Sequence, residues 1–139
     1  MEKTTNKILL VEDYGANILV VTTLLEGFGY DYAVAKDGQE ALQKLQEENF
    51  AVALMDIQMP DMDGMEITRH IRTGEKKGGK SRMQIIAMTA HALSGDRERF
   101  LGAGMDDYIS KPFNPEELEA KLKMHVKNYR HNQKLCKAS

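Results

Sequence analysis

The chain holds a single cysteine in 139 residues, Cys136, so no disulfide can form within it. A disulfide-stapled secreted scaffold is excluded, and a reducing, cytoplasmic setting is the simplest reading. Cys136 lies in a polar stretch and reads as an incidental thiol rather than a nucleophile. No apolar run approaches the ~20 residues of a membrane-spanning helix, and the opening residues MEKTTNK carry no signal-peptide apolar segment. Membrane contact is therefore not expected. Charge of one sign is also lacking: the formal net charge is −2, which supplies no general attraction to nucleic acid or anionic lipid. The Gly-x-x-x-x-Gly-Lys-Ser/Thr pattern of a phosphate-cradling loop is missing, and with it any support for nucleotide or flavin binding. No internal repeat and no second domain are visible.

What is present is a composition of 42% hydrophobic and 29% charged residues, that of a soluble globular domain. A chain of this length buries roughly two-thirds of its unfolded surface. The most informative stretch is 51–64, AVALMDIQMPDMDG. Five uncharged residues run into Asp56, and turn residues follow. A short apolar run of this kind reads as a strand buried on both faces, as in parallel sheets. Taken alone, Asp56 is equally well explained as a turn or cap residue.

The same pattern recurs along the chain. KILLV at 7–11 ends in Glu12 and Asp13, and QIIAMT at 84–89 ends on the Thr89 hydroxyl. Residues 107–110 form another short strand, ending at Lys111-Pro112, and residues 32–35 a fifth. Helical spacing links them. Ile18, Val21, Leu24, Leu25 and Phe28 stripe 14–28, while Asp37 and Glu40 have capping-box spacing before Ala41, Leu42 and Leu45. A brief helix is expected over 64–72. The segment 73–82, TGEKKGGKSR, has nothing to bury and reads as a mobile surface loop. Ser94 can cap a helix carrying Phe100, Leu101 and Ala103, and Asn114-Pro115-Glu116-Glu117 starts a last helix striped by Leu118, Leu122 and Val126. From Lys127 onward the chain is basic and polar and is expected to fray or act as a linker.

Five strands alternating with five helices imply right-handed crossovers and a parallel α/β sheet covered on both faces. In such a sheet every strand end reaches one edge, where ligands bind in open α/β folds. Glu12, Asp13, Asp56, Thr89 and Lys111 thus arrive together from four strands. Carboxylates about 4 Å apart repel by roughly 4 kcal/mol at an effective dielectric near 20. Such a cluster calls for a cation, and an all-oxygen set with room for water suits Mg²⁺. A carboxylate nucleophile, a divalent metal, a lysine and a hydroxyl form a site for receiving a phosphoryl group on aspartate.

Glu12-Asp13 after a buried strand, MDIQMPDMDG around Asp56, MTA around Thr89 and YISKPF around Lys111 resemble the receiver domain of two-component response regulators. The resemblance covers residues 5–127, leaving 128–139 as a tail or linker. DIQMPDMDG with IIAMTAHA is similar in particular to receivers attached to hybrid sensor histidine kinases. It implies a flavodoxin-like (βα)5 fold, a doubly wound five-stranded parallel sheet of strand order 2-1-3-4-5. It also implies that Asp56 is the phosphoacceptor and that Asp13, Glu12 (through water), Asp56 and the Gln58 backbone carbonyl hold Mg²⁺. Thr89 and Lys111 then contact the phosphoryl group, Tyr108 is the aromatic switch residue, and the Lys111–Pro112 peptide is cis.

Phosphorylation is expected to switch the face formed by the fourth helix, fifth strand and fifth helix. Gln58 and His91, two residues after Asp56 and Thr89, are expected to border the path of the hydrolytic water, although His91 reads nearly as well as a surface histidine. The implied partner is a histidine kinase or histidine phosphotransfer protein, with the domain a monomer or weak dimer. Two other readings use the same residues. An aspartate-nucleophile phosphatase of the haloacid dehalogenase type requires a second Asp two positions after the first, where this chain has Gln58. A receiver-like module that signals without phosphorylation normally lacks an acid, threonine or lysine that is present here.

Overall fold

A computed structural model describes residues 6–59, 63–79, 81–90 and 95–138, with side chains described as far as residue 134. Five strands alternate with five helices: β1 Ile8–Val11, α1 Gly15–Phe28, β2 Tyr32–Ala35, α2 Gly38–Glu47, β3 Val52–Asp56, α3 Gly64–Gly78, β4 Gln84–Thr89, α4 Asp96–Ala103, β5 Asp107–Ser110 and α5 Pro115–Ala138. The strands form one sheet in the order β2-β1-β3-β4-β5, and every pairing is parallel. This is the flavodoxin-like α/β fold. The strand order reverses between β1 and β3, which is the switch point where such sheets open a crevice.

The apolar runs are explained by the sheet being buried on both sides. Alternate strand residues face opposite layers. Leu9, Val11, Ala53, Met55, Ile85 and Ala87 pack in one cluster with Ala41, Ile67, Ile71 and Phe100 from α2, α3 and α4. Ile8, Leu10, Val52, Leu54, Ile86 and Met88 pack in the other with Val21, Leu25, Leu118 and Leu122 from α1 and α5. Each large side chain fully buried in this way contributes about 1.5–3 kcal/mol.

Local signals set the helix starts. The Asp37 side chain accepts a hydrogen bond from Glu40 N at 2.8 Å, capping α2, and Asn114 caps α5 through Glu116 N at 2.9 Å. The Ser94 cap expected for α4 lies outside the described residues.

Two expectations are corrected. Residues 73–78, read as a loop, continue α3 to Gly78, and Gly79 closes the helix at φ 65°. Glu75 of this segment pairs with Arg72 one turn back at 2.8 Å and accepts from the Met83 N–H at 2.8 Å, while Arg72 pairs with Asp106. The stretch from Lys127, read as a fraying tail, continues α5. Its Tyr129 and Gln133 are buried, and Gln133 Nε2 donates to Tyr129 Oη at 3.4 Å. Both segments are locally polar, so their order comes from long-range packing.

Candidate functional site

Strand register brings the site together. Val11 of β1 lies opposite Met55 of β3, and Asp56 opposite Met88 of β4. The residues just beyond, Glu12 and Asp13, therefore lie beside Asp56. Thr89 is in register with Ser110, and the Lys111 N–H donates to Thr89 O at 2.8 Å. The Lys111–Pro112 peptide is cis.

Carboxylate oxygens of Glu12, Asp13 and Asp56 lie within 4.8 Å of one another. Glu12 and Asp56 are buried, while Asp13 is exposed at the rim. Lys111 Nζ stands 3.2 Å from Glu12 Oε1 and 3.4 Å from Asp56 Oδ1. Gln58 N–H donates to Asp56 Oδ1 at 3.1 Å. Glu12 Oε2 accepts from the backbone N–H of Asp13 and Tyr14.

This arrangement separates the two buried acids. Asp56 is pushed up to about 6, first by burial and then by the neighbouring Glu12, against the opposing pull of Gln58 N–H and Lys111. Burial would raise Glu12 also, but its hydrogen bond with Asp56, the Lys111 charge and Tyr14 N–H outweigh that and leave it lowered. Three carboxylates thus face one ammonium group. The pocket is short of positive charge, and its all-oxygen donor set fits a hard divalent cation such as Mg²⁺.

Thr89 is buried at the end of β4. Tyr108 is half-buried on β5, opposite Ala87. Its ring lies 6.1 Å from that of Phe100 at an interplanar angle of 52°, and Lys121 Nζ sits 6.0 Å from its centroid. It belongs to the α4–β5–α5 side, away from the acid cluster. His91 and Pro60 lie outside the described residues.

Sequence reasoning missed two contributors. Asn17 Nδ2 donates to Glu12 Oε1 at 3.0 Å, holding that carboxylate from the first turn of α1. Its only sequence signal is a polar residue early in a helix that follows the acids. Gly64 is the second. A Cβ there would come 2.7 Å from Asp56 O, 3.1 Å from Met55 Cγ and 3.2 Å from Ile57 Cα. The start of α3 is thereby packed against the end of β3, which an Asp-Gly pair read as a turn does not reveal.

An acidic pocket with a lysine beside it, opening at the switch point of a doubly wound five-stranded sheet, marks the class of phosphoryl-receiving signalling domains. The chain belongs to the response regulator receiver domain family, which matches residues 8–123. Sensor protein GacS of Pseudomonas syringae pv. syringae is 41% identical over 112 residues, covering 81% of this chain and 12% of GacS. The chain thus spans about one-eighth of that relative's length.

Among solved structures, the receiver domain of sensor histidine kinase PA1611 from Pseudomonas aeruginosa PAO1 is 41% identical with a TM-score of 0.76. The match covers 86% of this chain and 96% of that one, and that structure has magnesium coordinated in its active-site cleft. The receiver domain of Ssk1 from Saccharomyces cerevisiae, solved with the histidine phosphotransfer protein Ypd1, is 32% identical with a TM-score of 0.78, covering 84% of this chain and 85% of that one. This chain is a receiver domain of the two-component phosphorelay type. Among the described residues no helix is long and apolar enough to cross a membrane.

Proposed function

We propose that the domain accepts a phosphoryl group from a phosphohistidine onto Asp56 and that this changes its α4–β5–α5 face. The observation that carries the reading is the convergence of Glu12, Asp13, Asp56 and Lys111 on one buried point. An Asp56 carboxylate oxygen attacks phosphorus, the P–N bond of the donor breaks, and its electron pair returns to the imidazole. Gln58 N–H and Lys111 orient the carboxylate. Lys111 and the Thr89 hydroxyl offset charge on the transferred oxygens. Mg²⁺, held by Glu12, Asp13, Asp56 and the Gln58 carbonyl, would supply charge neutralisation for the phosphoryl oxygens. Asn17 fixes Glu12 for that role. Gln58, two residues after Asp56, and His91, by its sequence position two residues after Thr89, are assigned to tuning the hydrolysis of the acyl phosphate.

The donor is a histidine kinase or phosphotransfer protein. Next to the site, α1 and its cap present Tyr14, Leu19 and Val20 to solvent, with Leu19 67% exposed. This apolar strip suits docking of a donor's helical surface. Leu101 of α4 and Met124 of α5 are exposed, and Leu101 lines a small surface hollow with Tyr108, which supports a responsive face there. Residues 5–127 form the phosphoacceptor unit. With a formal net charge of −2, the domain is proposed to act in the cytoplasm without nucleic-acid or membrane contact, as a monomer or weak dimer.

Labelling with acetyl phosphate tests this. The wild type should take up one phosphoryl group with Mg²⁺ and little after chelation, and Asp56→Asn should take up none. Undiminished labelling of Asp56→Asn would remove Asp56 from its role.

A further inference from the structure

A cleft of about 410 Å³ opens between α2 and α3. Its wall residues Phe50, Ser81 and Met83 precede β3 and β4, so it lies at the sheet edge opposite Asp56. Leu42 and Leu45 of α2 face Ile71 and Gly74 of α3 across it, and Tyr129 of α5 closes one end. This volume is within the range of small-molecule sites, which are mainly apolar with a few placed polar groups. A Cβ at Gly74 would meet nothing within 4 Å, so a side chain added there enters open space.

The charge at its rim is uneven. Both lining carboxylates are already compensated: Glu48 is paired with Lys7, and Glu75 with Arg72 and the Met83 N–H. On α3, His70 and Gly74 line the cleft, and Lys77, seven residues after His70, lies on the same helical face about one turn beyond Gly74. His70 and Lys77 are both exposed, and neither has a hydrogen-bond or ion-pair partner among the described residues. An imidazole in the wall and an ammonium about one turn beyond it, neither with a partner among the described residues, are the basic groups that α3 places on this side of the apolar chamber.

We propose that this cleft binds a small anionic amphiphile, an aromatic or alkyl body seated against Leu42, Leu45, Ile71 and Tyr129 with its carboxylate or sulfonate at His70 and Lys77. This site is separate from the acidic pocket, whose sign of charge is opposite.

Anilinonaphthalene sulfonate, an aromatic body bearing one anionic group, is the test ligand, titrated into the full chain by fluorescence. The expected result is saturable one-site binding. Gly74→Leu fills the chamber from the helix and should weaken binding at least about tenfold. Lys77→Ala should weaken it by about two- to fivefold, the range of an exposed ion pair. The uncharged phenylnaphthylamine should bind more weakly than the sulfonate. If Gly74→Leu melts below the wild type, Leu45→Gln on the opposite wall carries the same comparison. The proposal is overturned by non-saturable binding, by affinity unchanged in the wall variants, or by the neutral dye binding as well as the anion.

Discussion

Gly64 shows how closely the chemistry depends on one missing methyl group. The carbonyl oxygen of Asp56 lies 2.7 Å from where the Cβ of any other residue would stand, so with a side chain there the helix start or the strand end must shift. Overpacking at such a contact costs about 1–3 kcal/mol. Gly64→Ala should lower the urea midpoint accordingly, and an unchanged midpoint would show that the two segments are not packed this closely. At this scale the sequence was legible for the groups that end strands, because Glu12, Asp13, Asp56, Thr89 and Lys111 each follow an apolar run. It was silent on Asn17, whose contact with Glu12 depends on how α1 leaves the sheet.

Among the elements, β5 and α5 are tied by a polar cluster with no signal in the sequence pattern. His125 is buried, its two ring nitrogens 2.9 Å from the Gln84 side-chain oxygen and 2.9 Å from Asp107 Oδ2. Lys121 pairs with Asp107 at 2.9 Å. Burial alone would raise the Asp107 carboxyl, but His125, Lys121 and the Tyr108 N–H outweigh it and hold it well below the usual carboxylate range. A carboxyl lowered on folding adds stability that is present above its unfolded value of 3.8 and lost as pH falls through the folded one. Asp107→Asn should therefore destabilise at neutral pH, with the difference from wild type shrinking in melts taken below about pH 4. A deficit independent of pH would contradict the ionic account.

The same helix carries the misread tail. Tyr129 is 1% exposed, and Tyr129→Ala should cost about 3–5 kcal/mol, as large aromatic truncations in cores do; a frayed tail would show no cost in denaturation. The pattern 127–134 looked unstructured because only every third or fourth residue is buried and two of those, Tyr129 and Gln133, are polar. Likewise 73–78 offered no apolar stripe; Glu75 ties it down by pairing with Arg72 one turn back and accepting from the Met83 N–H.

For the molecule as a whole, topology converts scattered signals into a site. Strands β1, β3, β4 and β5 are contiguous in the sheet, so groups separated by as much as 99 positions, Glu12 and Lys111, meet at 3.2 Å. Alternating strands and helices made that convergence readable before any coordinates, since a parallel sheet directs all its strand ends one way. The α2–α3 cleft was not readable, because it arises from helix spacing at the opposite edge and from a glycine in a segment taken for a loop.

The central claim is that the phosphoryl group resides on Asp56. Borohydride reduces an acyl phosphate of aspartate to homoserine, so the chain can be phosphorylated with Mg²⁺ present, reduced, digested and sequenced by mass spectrometry. The account predicts homoserine at position 56 and at no other acid. Homoserine at Asp13, or the corresponding five-carbon alcohol at Glu12, with Asp56 intact, or a stable label that borohydride leaves untouched, would contradict it.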